Sequence, residues 1–227
     1  MDLAKWQQEN GVYLSASLNW LRLKLQRMAA ESAQQEPRKG LFARSQAEAD
    51  WDARIAEAAR ERAAAEQMDP PPALHLLAEQ LRLTQFERDV VLLCAAMELD
   101  TRIPGLCAAA VGNREQAYPT FALALTLFDS PSWDSLSSER PLRYWRVVEV
   151  NQGATQPLTA ATLRTDERIV NYVKGLNSLD ARLSAMLTLV DGRLEGLPTS
   201  QQQRADEILE RWRHTTAAEP PPAAILL

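Results

Sequence analysis

The feature that most limits how this chain can fold is the run VVLLCAAM at residues 90–97, apolar whichever way a helix through it is turned. A helix that is apolar all round belongs at the centre of a fold, with other elements covering it. The run is far shorter than the ~20 residues that cross a bilayer. Just upstream, Thr84-Gln85-Phe86-Glu87 has the spacing of a capping box, in which the Thr84 hydroxyl and the Glu87 carboxylate satisfy free N–H groups at a helix start. A capped, central helix over this stretch is therefore the fixed point, and the rest of the chain must wrap it.

The N-terminal stretch offers two covering helices. Leu14, Leu18, Leu21, Leu25 and Met28 recur at steps of four and three, one stripe of a helix. Glu36-Pro37-Arg38-Lys39-Gly40 breaks it. Ala47, Trp51, Ile55 and Ala58 then share a face of a second helix with a charged opposite side. A short break between two such helices predicts an antiparallel hairpin over residues 1–69. Asp69-Pro70-Pro71-Pro72 closes it, because proline cannot continue a helix.

A second region is expected over residues 70–191. Leu74, Leu77 and Leu81 mark a short helix ahead of the capped one. Pro104 and Gly105 open another that ends near Gly112 and Asn113, and Tyr118-Pro119-Thr120 leads into an apolar helix over 121–128. The pattern then changes. Residues 142–150, LRYWRVVEV, alternate and are rich in β-branched and aromatic side chains, which predicts a strand. Asn151-Gln152-Gly153 is a turn, and residues 158–163 are expected to return as its partner. Thr165 is placed as the cap of a helix with Asp166 and Glu167 in its first turn, where acids suit the helix dipole. A further helix carries Leu179, Leu183, Met186 and Val190.

The third region, residues 192–227, holds a helix capped by Ser200 with Ala205, Ile208, Leu209 and Trp212 on one face, then a proline-containing linker. The ending Ala223-Ala224-Ile225-Leu226-Leu227 reads as the first strand of a following domain. The fold class expected is mainly α: an N-terminal helical hairpin packed on an enlarged winged-helix-like domain with one small β-hairpin.

Most chemistry is excluded. A phosphate-binding loop needs a Gly-Lys pair, and the lysines Lys5, Lys24, Lys39 and Lys174 follow Ala, Leu, Arg and Val. Leu187-Thr188-Leu189-Val190-Asp191 imitates an apolar run with a metal-holding Asp, but Gly192 stands where an acid is required. His75 and His214 are isolated from other ligands, and Cys94 and Cys107 lie among apolar residues as buried free thiols. No catalytic, cofactor-binding or metal-binding residues are therefore expected, and the chain is read as not an enzyme. The polar start MDLAKWQQEN carries no signal peptide, so a cytoplasmic setting is expected.

The formal net charge of −5 gives no general attraction to nucleic acid or acidic membrane. The helix over 121–128 has no basic residue, and between Thr84 and Ser130 the acids Glu87, Asp89, Glu98, Asp100, Glu115 and Asp129 outnumber Arg88, Arg102 and Arg114. Arg140, Arg143, Arg146 and Arg164 could touch phosphate, but they read as solvated strand ends or acid partners. A protein partner is the better expectation. Trp6, Trp20 and Trp51 in the helical pair are its candidate contacts, since Trp is enriched at interfaces. Trp133 and Trp145 read as packing residues.

Several runs together resemble one family: LTQFERDVVLLCAAMELD (83–100), YPTFALAL (118–125), PLRYWRVVEV (141–150) and PLTAATLRTDERIVNYVKG (157–175). In that order they are similar to the N-terminal region of bacterial AAA+ ATPases associated with extracellular contractile injection systems. The resemblance implies a non-catalytic module that recruits cargo or particle components to a hexameric motor. ATP and Mg²⁺ would then bind in an ATPase part that follows. Duplex DNA binding by the winged-helix unit, or a purely structural role in ring assembly, are the alternatives; a monomeric isolated chain would place the ring contacts in the ATPase part.

Overall fold

The structure is a computed structural model and describes residues 3–33, 41–176 and 198–214. It forms two compact units, residues 1–180 and 181–227. In the first unit, helices α1 (Leu3–Ala33) and α2 (Leu41–Ala65) pack along each other. Arg27 meets Asp52 while Trp20 meets Arg62, so the numbering runs in opposite directions and the pair is an antiparallel hairpin. Leu14, Leu21 and Leu25 of the expected stripe are buried, as is Ala58 of α2.

Helix α3 (Ala73–Leu81) ends at Arg82, which takes the left-handed conformation with φ 54°. Helix α4 (Gln85–Leu99) starts on the capping box read from the sequence. The Glu87 N–H donates to Thr84 Oγ1 at 3.2 Å, and the Thr84 N–H donates to Glu87 Oε2 at 2.8 Å. Residues Val90, Val91, Leu92, Leu93, Ala95 and Ala96 are fully enclosed, so α4 is the central helix. Helix α5 (Ile103–Ala110) packs on α1, and α6 (Phe121–Leu127) is capped by the Thr120 hydroxyl. One continuous core joins Tyr13, Leu21 and Leu25 to Leu74, Phe86, Phe121, Leu142 and Leu163.

After a 3-10 turn at Trp133–Leu136 come the single-turn helix α7 (Pro141–Tyr144), strand β1 (Val148–Asn151), strand β2 (Thr162–Thr165) and helix α8 (Glu167–Val173). The two strands are antiparallel, with Val148 opposite Thr165 and Val150 opposite Leu163. An isolated bridge joins Thr120 to Thr162, and the Leu163 N–H donates to Pro119 O at 2.9 Å, so the segment before α6 adds a third, one-residue rung. The mainly α class with one small hairpin is what the sequence led us to expect. In the second unit, the described part is helix α9 (Thr199–His214).

Local boundaries differ from expectation in four places. The strand expected over 142–150 starts only at Val148. Pro141 presets a helical φ at the first position of a helix, the Tyr144 and Trp145 N–H groups close a turn on Arg140 O and Pro141 O, and Arg146 reverses the chain at φ 52°. The apparent alternation thus mixed a helical turn with a strand. The partner strand starts at Thr162, behind a 3-10 turn over Leu158–Ala160. The cap of α8 is Asp166, whose Oδ1 accepts from the Arg168 N–H at 2.9 Å, while the Thr165 hydroxyl donates to Val147 O. Helix α9 starts at Thr199, with the Gln202 N–H donating to Pro198 O. The helix expected over 179–190, the Leu187–Asp191 imitation and the apolar ending lie outside the described residues.

Candidate interaction surface

Large aromatic side chains are exposed beside the hairpin. Trp133 is 65% exposed, Tyr144 58% and Trp145 45%. Their position follows from α7. Leu142 is fully buried and anchors the turn on the core. Tyr144 lies about 200° further round a helix at 100° per residue, so it must face outward. Tyr144 and Trp145 meet edge to face with ring centres 4.9 Å apart. Arg143 Nη1 donates to Leu136 O at 2.8 Å and ties α7 to the 3-10 turn that carries Trp133. The aromatics therefore stand on two short pieces locked to each other. Trp133 and Trp145 are thus not the packing residues expected from sequence. The overlooked signal was Pro141, which turns the following residues into a helical turn.

The helix directly before the hairpin occupies the place where a helix-turn-helix protein carries its base-reading helix. Here that helix is the single turn α7, not the 121–128 helix tested in sequence. The two arginines at this turn, Arg140 and Arg143, are committed. Arg140 Nε lies 3.3 Å from Glu87 Oε1, and the Glu87 side chain is wholly buried. That contact is misaligned for a hydrogen bond, so it acts as a charge pair. Arg143 is held by Leu136 O, and Arg164 sits opposite Glu149 in the ladder. Arg146 and Arg164 remain exposed. The wing, residues 152–161, contains no charged residue and is folded on itself, with Gln152 Nε2 donating to Gln156 O at 2.6 Å. Affinity for phosphate rests largely on Arg and Lys; the wing has neither, and the exposed groups beside it are aromatic rings with Arg146 and Arg164.

The sequence-nominated tryptophans lie in three separate settings. Trp20 is 6% exposed. It stacks on Phe128 at 5.9 Å and 10°, and the Arg62 guanidinium lies 4.4 Å from its ring centre. Trp6 is half-buried and its indole N–H lies 3.2 Å from both Pro70 O and Pro71 O. Trp51 is half-buried on α2 under the Arg54 guanidinium at 4.5 Å. The structure does not bring them together as one surface.

Titratable groups in the interior serve packing. His75 Nδ1 lies 3.1 Å from Glu66 Oε1, and its Nε2 lies 3.1 Å from Tyr13 Oη and 3.0 Å from Arg88 Nη1. A neutral ring with its proton on Nδ1 suits these partners, donating to Glu66 and accepting on Nε2. Burial, then the charges of Arg88 and Arg62, lower the His75 pKa to about 4. The unfolded chain takes up this proton near pH 6.5. Stability from this site is therefore full above pH 6.5 and is lost as pH falls from 6.5 toward 4. Chemical unfolding at pH 7 and pH 5 should show a drop that His75→Gln reduces; an undiminished drop would place the acid sensitivity elsewhere. Cys94 and Cys107 are buried free thiols; burial raises both, Cys107 to about 12, so neither is a ready nucleophile at neutral pH. Among the described residues no group of three His, Cys, Asp or Glu side chains could hold a metal ion, and no helix is long and apolar enough to cross a membrane.

No curated protein and no solved structure matches the chain. Residues 8–187 match the family described as winged helix domain, variant, a span that runs from α1 through α8 and beyond. The helical hairpin at the N-terminus, the central capped helix and the wing thus fall within one family unit. The chain belongs to this variant winged-helix family.

Proposed function

We propose that this chain is a non-catalytic winged-helix module that binds a protein partner through the surface carrying Trp133, Tyr144 and Trp145. One observation carries the reading: Arg140 and Arg143, beside the wing, are engaged internally, and large aromatic rings stand exposed next to them. Rigid aromatic side chains are strong interface anchors. The resemblance to N-terminal regions of AAA+ ATPases supports a finer version, in which the partner is cargo or a structural component of a contractile injection particle. In that setting ATP and Mg²⁺ belong to the motor.

A second reading, duplex DNA contact, is favoured by the family itself and by Arg146 beside the exposed rings. The two separate in one pair of measurements. Titration with mixed-sequence duplex at low salt should show no saturable, salt-dependent binding. Partner capture by the full chain should fall at least tenfold in Trp145→Ala, a hot-spot loss of about 2 kcal/mol, while unfolding free energy stays within about 0.5 kcal/mol. Tight duplex binding that Arg146→Gln abolishes would overturn the protein-partner reading.

A further inference from the structure

Away from the aromatic surface, a cleft of about 560 Å³ is lined by Asn19, Arg22, Gln26, Arg54, Arg102 and the apolar pair Leu23 and Leu106. Three helices contribute: Arg22 from α1, Arg54 from α2 and Arg102 from the start of α5. Asp100 is the acid beside it, and its needs are met by Arg102. Arg102 Nε and Nη2 donate to the two carboxylate oxygens at 2.8 and 2.9 Å, and the Arg102 backbone N–H donates to Oδ1 at 3.0 Å. Arg22 Nη1 is 3.6 Å from Asp100 Oδ2, beyond hydrogen-bond reach, although the Arg22 side chain is only 21% exposed. Arg22 Nη2 donates to the neutral Asn19 Oδ1 at 3.0 Å. Arg54 stacks over Trp51, and Asp50 stands 3.9 Å away.

Among the described residues, then, Arg22 and Arg54 face one cleft with no carboxylate in hydrogen-bond distance. Each has an acid at ion-pair range, Asp100 at 3.6 Å and Asp50 at 3.9 Å, but neither acid fills the donor fork of the guanidinium. Its planar fork of donors suits phosphate and carboxylate oxygens. The volume lies in the range of small-molecule sites, and Leu23 and Leu106 give the cleft an apolar wall. We propose that this cleft binds a small polyanion, with Arg22 and Arg54 holding its clustered oxyanions. Arg102 and Asp100 act as a fixed frame: Asp100 occupies the Arg102 fork and keeps that guanidinium in place.

The test is calorimetric titration of the full chain at low ionic strength, with tripolyphosphate as one probe and citrate as the other. Saturable one-to-one binding of tripolyphosphate is expected, weakened about tenfold or more in Arg22→Gln and in Arg54→Gln, the loss typical of a charge-assisted hydrogen bond. Arg54 is exposed, so its variant folds even if Arg22→Gln does not. Arg146→Gln should bind like the parent chain. Stronger binding of tripolyphosphate than of citrate identifies a phosphate ligand, and the reverse a polycarboxylate. Absence of saturable binding, or equal weakening in Arg146→Gln and Arg54→Gln, overturns the proposal.

Discussion

Asp89→Ala is expected to lower the unfolding free energy of the chain by about 3–5 kcal/mol. Asp89 Oδ1 accepts from Arg62 Nη2 at 2.7 Å, and the side chains are 5% and 8% exposed. Trp20 covers the guanidinium face, and Tyr13 stands close by. Burial is the largest influence and pushes the Arg62 pKa down, but the interactions with Asp89 and Tyr13 together outweigh it, and the net shift is upward. Removing the carboxylate leaves a buried cation without its acid partner, with Tyr13 as a polar neighbour. Typical domains have only about 5–15 kcal/mol in hand, so this is a large share. The double variant Arg62→Met with Asp89→Leu removes both charges and should recover most of the loss. Urea unfolding of the three chains measures it. A cost below about 1 kcal/mol for Asp89→Ala would mean that water reaches the pair.

Phe86→Ala should cost a similar amount, about 3–5 kcal/mol, for a different reason. Phe86 is 2% exposed. It meets Phe128 edge-on at 6.4 Å, and Phe128 stacks on Trp20. The ring thus joins α4 to α6 and α1, and its loss opens a cavity that three packed helices cannot close. The same urea experiment should show a lower midpoint with an unchanged slope. Trp145→Ala removes a larger ring from solvent and should barely move the midpoint. Equal costs for the two variants would contradict the central position of α4.

The capped central helix was legible because its signals are local. Thr84 and Glu87 sit three residues apart, and an all-apolar run leaves one environment open to it. The wing was legible as to existence but not as to extent. Leu142, Tyr144, Val148 and Val150 alternate as a strand would, yet Pro141 and the reversal at Arg146 divide them between a helical turn and a strand. The exposed rings followed from that division and were missed with it. Charged residues were least legible. Nothing local distinguishes Arg62, paired with Asp89 across 27 positions, from the solvated Arg60, or Arg140 against buried Glu87 from exposed Arg146. Only the folded topology decides which charges meet.

Asn10 adds a consequence of another kind. It is 1% exposed on the inner side of α1, where Ser17 is the other small polar residue buried. Its Oδ1 accepts from the Ala73 N–H at 2.9 Å and its Nδ2 donates to Val173 O at 3.0 Å. Gly175 completes the fit: its φ is +87°, and a side chain there would begin 3.2 Å from the Asn10 amide. Leucine stripes tolerate sliding, because one apolar neighbour is much like the next. A single enclosed amide does not. Moving α1 by one residue shifts each position about 1.5 Å and turns it about 100°, which would strand both Asn10 groups away from water. Asn10 therefore acts as an indexing pin. It sets α1 in one register against segments 63 and 163 positions away in sequence.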